Sequence, residues 1–132
     1  MLSWAETLLE RPCVAGTDFA LTDAVRCASP RQLGVDQAIG RCAELYMGRL
    51  LSLSQARVVG FCGKARIAVR DFVVPARYRV NLREGDVRGP IEFFGRERML
   101  VGLRHPADFY RGSLYLDVLV PAGLDSLQSF LK

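Results

Sequence analysis

The segment that most constrains the fold runs from Pro30 to Pro75, where a helical pattern of apolar residues changes directly into an alternating strand pattern. Between Asp36 and Leu51 apolar residues recur at three- and four-residue steps, while polar residues fall elsewhere on the wheel. This spacing predicts one amphipathic helix with a wide buried face. The residues predicted to be buried are Ile39, Cys42, Ala43, Tyr46, Met47, Leu50 and Leu51.

Two glycines, Gly40 and Gly48, interrupt this helix. Each costs about 1 kcal/mol of helix propensity relative to alanine. Such a cost is tolerable where a neighbouring backbone approaches closely. The glycines therefore predict a closely packed neighbour, which a sheet curling around the helix would supply.

The sequence after the helix predicts a sheet. Residues alternate between polar and apolar over Lys64–Val69 and Arg77–Arg83, as expected for antiparallel strands with one wet face. Turn residues at Ser52–Gln55 separate the helix from these strands. A brief strand is predicted at Phe19–Leu21, with short helices at Trp4–Glu10 and in the tail. After turns at Glu84-Gly85-Asp86 and Gly89-Pro90, Ile91–Phe94 and Met99–Leu103 form either one further strand or a bent pair. Phe109–Val120 is the last strand, or a hairpin if Arg111-Gly112 turns.

One helix covers four or five antiparallel strands only if the sheet wraps around it. The expected class is therefore α+β with a hotdog fold. At 132 residues the chain suits a single domain, with an N-terminal helix and lead-in at residues 1–18 and a tail at residues 124–132.

Composition narrows the function classes. The formal charge of +4 favours acidic partners such as a nucleic acid, a phosphate-bearing ligand or an acidic carrier protein, although a plain soluble surface explains it equally well. Four cysteines without a C-x-x-C pair and a single histidine give no zinc spacing, and no other cofactor is expected. The chain shows no signal peptide and no apolar run of membrane-spanning length, so a reducing cytoplasm is expected.

Several short motifs occur in a definite order along the chain. They are Pro30–Asp36 at the start of the helix, Leu45–Leu50 near its end, Gly63–Ile67, Val73–Pro75 and Tyr78-Arg79. Over roughly Phe19 to Gly123 this order resembles the β-hydroxydecanoyl-ACP dehydratase family, hotdog enzymes that dehydrate or isomerise acyl thioesters on acyl carrier protein. The resemblance implies a role in fatty acid or polyketide biosynthesis.

The resemblance also implies a site. Asp36 matches the family's catalytic aspartate, and the backbone N–H groups at the helix start would polarise the thioester carbonyl. An aspartate at this position is also explained as an ordinary helix cap or first-turn charge. Thr22 stands where the family has its histidine base, Arg31 where it has glycine, and Gly40 where it has glutamine. Losing a base costs about 10²- to 10⁴-fold in rate, so ordinary dehydration by this chain alone is not expected. The substrate-binding residues implied are Thr22, Pro30, Arg31, Gln32 and Gly34.

Acyl carrier protein or acyl-CoA is the implied partner. The family dimerises with its site across the interface, so either a homodimer or a heterodimer with a complete dehydratase that donates the missing histidine is expected. The basic stripe of the predicted sheet would dock the carrier or its phosphate, or would simply be a solvated outer face. It contains Lys64, Arg66, Arg77 and Arg79, with Arg70 and Arg83 beside them. His105 is a weaker catalytic candidate, and a plain surface or turn residue is the favoured interpretation of it.

Two other functions remain open at this point. Val73–Arg79 followed by Glu84-Gly85-Asp86 resembles the swapped-hairpin DNA-binding motif of transition-state regulators, although the Gly-Arg that precedes that strand is missing. Arg57 and Asp117 on paired strands would suit a chorismate-lyase-like fold. Of the two classes of partner, acyl carriers and nucleic acids, nucleic acids are the less favoured.

Overall fold

A computed structural model of the chain describes residues 2–20, 33–63, 74–76, 82–104 and 121–132. Side chains are described for all of these except residues 2–4 and 121. The predicted strands Lys64–Val69 and Phe109–Val120, and Arg77–Arg83 up to residue 81, lie outside the described residues. The helices and strands are α1 (Leu2–Leu9), α2 (Val35–Cys42), a π-helical segment (Ala43–Met47), α3 (Gly48–Leu53), β1 (Val58–Cys62), β2 (Val87–Phe93), β3 (Arg96–Leu103) and α4 (Pro121–Leu131).

The predicted long helix is confirmed. α2, the π-helical segment and α3 follow one another without a break, and together they form the central helix, residues 35–53. It ends at Ser54, whose backbone is extended with ψ 137°. Helical structure therefore continues into the stretch predicted to be a turn.

The π-helical segment changes which side chains the central helix buries. Ala43, Met47 and Leu51 are buried as predicted, but Tyr46 is 44% exposed, so its predicted burial is wrong. A π-helical turn closes its hydrogen bonds between residues five apart, which rotates the following side chains relative to a regular α-helix. A sequence pattern read with a uniform period of 3.6 residues does not detect that rotation.

Gly48 does have a close neighbour, but it is a side chain. A Cβ atom on Gly48 would lie 3.1 Å from the Phe94 ring. The glycine therefore admits an aromatic ring, and not the neighbouring backbone that the sequence predicted.

The three described strands form a mixed sheet in the order β1-β3-β2. β2 and β3 form an antiparallel pair, so the pair, one of the two alternatives that the sequence left open, is the one formed. The turn predicted at Gly89-Pro90 lies inside β2, and the strands are instead joined by Phe94 and Gly95, which both have positive φ as a type I′ hairpin turn requires. β1 lies parallel to β3, so the expectation of a purely antiparallel sheet is wrong for this pair. Parallel neighbours need a long connection, and the chain between β1 and β3 provides one.

Helices pack on both faces of the described sheet, which confirms the mixed α+β class. On one face the central helix packs against Phe61, Phe93 and Leu100. On the other, Leu8 of α1 and Leu127 of α4 pack against alternate residues of β3, namely Met99, Val101 and Leu103. The sequence predicted a helix on one face only. Its pattern did not show that the two terminal helices pair with each other, because their contacts join the two ends of the chain.

Arg57 fixes α4 to the edge of the sheet. Its Nη1 donates a hydrogen bond to the Leu131 carbonyl at 3.2 Å, and its guanidinium lies 4.4 Å from the centre of the Phe130 ring. Across the helix pair, Gln128 donates to the Thr7 carbonyl at 3.0 Å. The helical tail expected from the sequence is thus confirmed, and it is anchored.

The loop after α1 is a compact turn around Asp18. Its carboxylate accepts hydrogen bonds from Arg11 at 2.6 Å and from the Val14 N–H at 2.7 Å. The strand predicted at Phe19–Leu21 is not formed in its described part, where Phe19 makes only an isolated bridge to Ala15. Side-chain hydrogen bonds hold this loop where a sheet partner was expected.

Candidate functional site

The central helix begins at a glycine with left-handed backbone. Gly34 has φ 76° and ψ 2°, and its carbonyl accepts the first helical hydrogen bond, from the Ala38 N–H at 3.0 Å. Gly34 is the N-cap residue and has no side chain to bond the first turn of α2. Among the described residues, the nearest atom to a Cβ on Gly34 would be Gln37 Oε1 at 3.9 Å, and the positive φ of Gly34 is the reason for glycine here.

Asp36 lies in the first turn of α2 and is exposed. The neighbouring residues Leu33, Gly34 and Gln37 are exposed as well, so the start of the helix faces solvent. Residues 33–37 are called the exposed start below. In any α-helix the first backbone N–H groups point away from the helical hydrogen-bond ladder, and the dipole places partial positive charge there.

The exposed start combines two kinds of chemical group. The first-turn N–H groups are hydrogen-bond donors suited to an oxygen that gains negative charge, such as a thioester carbonyl. The Asp36 carboxylate is a potential acid or base within the same turn. Donors and a carboxylate in one exposed turn are a suitable arrangement for binding and polarising an acyl group.

The structure places only two of the predicted acyl-binding residues, Asp36 and Gly34, and brings them together. Thr22, Pro30, Arg31 and Gln32 lie outside the described residues. The same holds for the docking residues Lys64, Arg66, Arg70, Arg77 and Arg79, and for His105 and Asp117. Arg83 is described: it is exposed, and its backbone N–H donates to Asp86 Oδ2 at 3.0 Å.

The other end of the central helix contains a buried charge that the sequence pattern did not reveal. Arg98 of β3 is 0% exposed. Its Nη2 donates to the carbonyls of Leu51 at 2.7 Å and Ser54 at 3.1 Å, and its Nη1 donates to the Ala56 carbonyl. Residues 51–56, with this guanidinium, are called the capped end.

Arg98 is also held from the side of the sheet. Its Nε donates to the Phe93 carbonyl at 3.4 Å, and the guanidinium lies 5.5 Å from the centre of the Phe93 ring. Burial lowers the pKa of the Arg98 guanidinium, and the nearby positive charge of Arg96 lowers that pKa further. Arginine keeps its charge under such a shift because its ordinary pKa lies far above neutral pH. The residue is therefore a permanent cation bound by carbonyl dipoles.

Strand parity was the signal that could have identified Arg98. Arg98 lies two residues from Leu100 on β3, so its side chain is on the side of the strand that faces the central helix. The three charged residues Arg96-Glu97-Arg98 nevertheless suggest exposure in the sequence. Because its four observed hydrogen bonds all go to backbone carbonyls, Arg98 serves the fold and not a ligand.

The two alternative functions find no assembled site in the described residues. Val74, Pro75 and Ala76 are the described part of the swapped-hairpin motif; they are not in a strand, and Val74 is buried in the core. Arg57, named for the chorismate-lyase-like reading, contacts α4 as described above.

Within the described ranges no group of three potential metal ligands comes together. In the same ranges, no helix has the length and apolar character needed to cross a membrane.

No protein-family model matches the chain, and no match is found among curated proteins or solved structures.

Proposed function

We propose that the chain is a hotdog-type protein that binds acyl thioesters, presented on acyl carrier protein or coenzyme A, at the exposed start of its central helix. The observation that carries the proposal is the glycine-opened first turn of α2 with Asp36 exposed in it. This is the turn in which the resemblance to the β-hydroxydecanoyl-ACP dehydratase family places the catalytic aspartate.

Each group at the exposed start has a role in this proposal. The first-turn N–H groups hold the thioester carbonyl oxygen, and the helix dipole strengthens those hydrogen bonds. Asp36 faces the β-hydroxyl or the γ-carbon proton of the acyl chain. Gly34 keeps the entrance to the turn free of a side chain.

In this proposal the chain alone binds the acyl thioester, and complete turnover requires its assembly with a second subunit. Thr22 occupies the position of the family's histidine, and a threonine hydroxyl does not act as a base near neutral pH. A complete dehydratase subunit would supply the histidine across a dimer interface, with Asp36 acting in the shared site. Dehydratase or isomerase activity therefore belongs to the heterodimer.

Calorimetric titration of the purified chain with 3-hydroxydecanoyl-CoA and with free coenzyme A tests the binding step. We expect the acylated ligand to bind more tightly. Asp36→Asn should weaken its binding about tenfold through loss of a charged hydrogen bond. Asp125→Asn, which changes an exposed aspartate of α4, is the matched control and should leave the affinity unchanged.

Equal affinity for the two ligands would contradict the proposal, and so would equal weakening by Asp36→Asn and Asp125→Asn. The turnover step is tested by mixing the chain with a complete dehydratase whose own aspartate has been removed. Dehydration should appear only in the mixture, and Asp36→Asn should reduce it by about 10²- to 10⁴-fold.

A further inference from the structure

The central helix has a second apolar side, which faces away from the sheet. Leu45, Tyr46 and Leu53 are among the large apolar residues most exposed in the described structure. Ala43, Met47 and Leu51 already fill the sheet-facing side of the same helix. The exposed residues are therefore additional to the core-facing side, and a helix that is apolar on two sides is typical of one that contacts two partners.

Helical spacing makes these residues neighbours. Leu45, Arg49 and Leu53 follow one another at four-residue steps, and Tyr46 lies about two turns before Leu53. Phe94 extends the same region from the β2–β3 turn, since its ring lies against Gly48 and remains 39% exposed. These five residues, Leu45, Tyr46, Arg49, Leu53 and Phe94, are called the outer face.

The backbone of Phe94 is unusual. It has φ 51°, a left-handed conformation that an aromatic residue rarely adopts. The type I′ turn requires this backbone, and it holds the Phe94 ring half-exposed beside the central helix. In the described structure the ring contacts Phe93 edge-on, at 6.0 Å between centroids, and reaches Gly48.

The outer face contains one charge, and that charge is positive. The Arg49 guanidinium makes no ion pair or hydrogen bond with any residue that the structure describes. Arg41, two turns earlier, is by contrast paired with Glu44 at 2.8 Å. None of the five residues of the outer face is acidic. The face therefore has an arginine but no carboxylate to pair with it.

We propose that the outer face binds an amphipathic helix of another protein, one with an apolar stripe flanked by carboxylates. Apolar side chains at four-residue steps are suited to packing against a partner helix. The unpaired Arg49 selects a partner with an acidic residue beside that stripe. A second copy of this chain is a poor occupant, because it would bring another arginine and no carboxylate to the same surface.

Two synthetic peptides of about 18 residues, long enough to form a helix on binding, provide the probe. Both have leucines at three- and four-residue steps, and glutamates flank the leucines in one peptide while lysines flank them in the other. Fluorescence anisotropy should show the acidic peptide binding at least about fivefold more tightly than the basic one, as one well-placed ion pair allows.

The variants locate the binding on the outer face. Arg49→Glu should reverse the preference between the two peptides, and Leu53→Asp should weaken the acidic peptide at least about tenfold. Arg88→Glu makes the same charge change on β2, away from the outer face, and should leave the preference unchanged.

Three results would overturn the proposal. The first is equal binding of the two peptides, or equal effects of Arg49→Glu and Arg88→Glu. The second is a dimer in size-exclusion chromatography that Leu53→Asp dissociates, since a second copy would then be the occupant. The third is loss of stability in Leu53→Asp as large as in Leu51→Ala, since the chain itself would then cover the face.

Discussion

The two ends of the central helix differ in how their terminal backbone groups are bonded. Every helix has backbone groups without helical partners at both ends. At the capped end a buried arginine bonds the carbonyls of Leu51, Ser54 and Ala56. At the exposed start the N-cap residue is Gly34, which has no side chain with which to bond the first turn.

This difference separates stability from function. Carbonyls near a protein core need a partner within the protein, because burial without one costs about 1–3 kcal/mol per group. An exposed helix start is not subject to the same cost. The capped end thus holds the helix on the sheet, and the exposed start is the end that we propose binds a ligand.

The largest effect is expected at the capped end, from Arg98→Met. Removal of the guanidinium leaves several carbonyls without their donor, and the free energy of unfolding should fall by about 4 kcal/mol. Urea denaturation measures this change. Arg96→Met, an exposed arginine two residues earlier on β3, is the control and should change stability by less than about 0.5 kcal/mol. A comparable loss in both variants would remove the distinction between the two ends.

A second prediction tests whether the capped end is held by one side of the helix. Leu51 is 6% exposed and Leu53 is 75% exposed, although they are two residues apart. Leu51→Ala should lower the free energy of unfolding by about 3 kcal/mol because it opens a cavity in the core. Leu53→Ala should change it by less than about 0.5 kcal/mol. Equal losses in thermal or urea unfolding would show that both side chains are buried.

The exposed start should respond weakly in stability and strongly in binding. Gly34→Ala places a Cβ on a left-handed residue and should cost about 1 kcal/mol of stability. Its affinity for 3-hydroxydecanoyl-CoA should fall by more than that strain explains, because the entrance to the first turn changes shape. A variant with unchanged affinity would separate Gly34 from the binding site.

The smallest expected effect is a loss of stability at acid pH. It comes from the loop after α1 and not from either end of the central helix. The Arg11 guanidinium and then the Val14 N–H donate hydrogen bonds to Asp18 and hold the pKa of its carboxyl below the ordinary value. A carboxyl with a lowered pKa in the folded state stabilises that state above its unfolded pKa, near 4. This contribution is lost as the pH falls below about 4 and through the folded value.

Asp18→Asn tests that assignment. Its loss of stability relative to the natural chain should be present at pH 7 and should shrink as the pH approaches 3. Chemical denaturation at several pH values measures the difference. A difference that does not change with pH would show that the carboxyl's charge plays no part in holding the loop.

The sequence predicted the local features of the fold better than the non-local ones. The helix of residues 35–53 was predictable because the spacing of its apolar residues lies within one short stretch. Strands near β2 and β3 were predicted as well, but their turn was expected at Gly89-Pro90 and lies at Phe94-Gly95. The prediction that Tyr46 is buried was wrong because a π-helical turn rotates the following side chains, and the spacing of apolar residues in the sequence does not show such a turn. The parallel β1–β3 pair and the pairing of α1 with α4 depend on residues far apart in the chain, which periodicity does not record.

In the candidate functional site, too, local features could be proposed from the sequence and non-local ones could not. Asp36 and Gly34 could be proposed from the sequence because both belong to one short motif at the helix start. Arg98 was missed because an arginine between charged neighbours suggests exposure, while its burial depends on carbonyls more than 40 residues earlier in the chain.

We propose that ligand binding occurs at the exposed start and not at the capped end. Backbone amide NMR during titration with 3-hydroxydecanoyl-CoA tests it most directly. The predicted result is a saturable shift of the amides of Val35, Asp36 and Gln37, with the amides of residues 51–56 unchanged. Shifts confined to residues 51–56, or saturation without any change at residues 35–37, would contradict it.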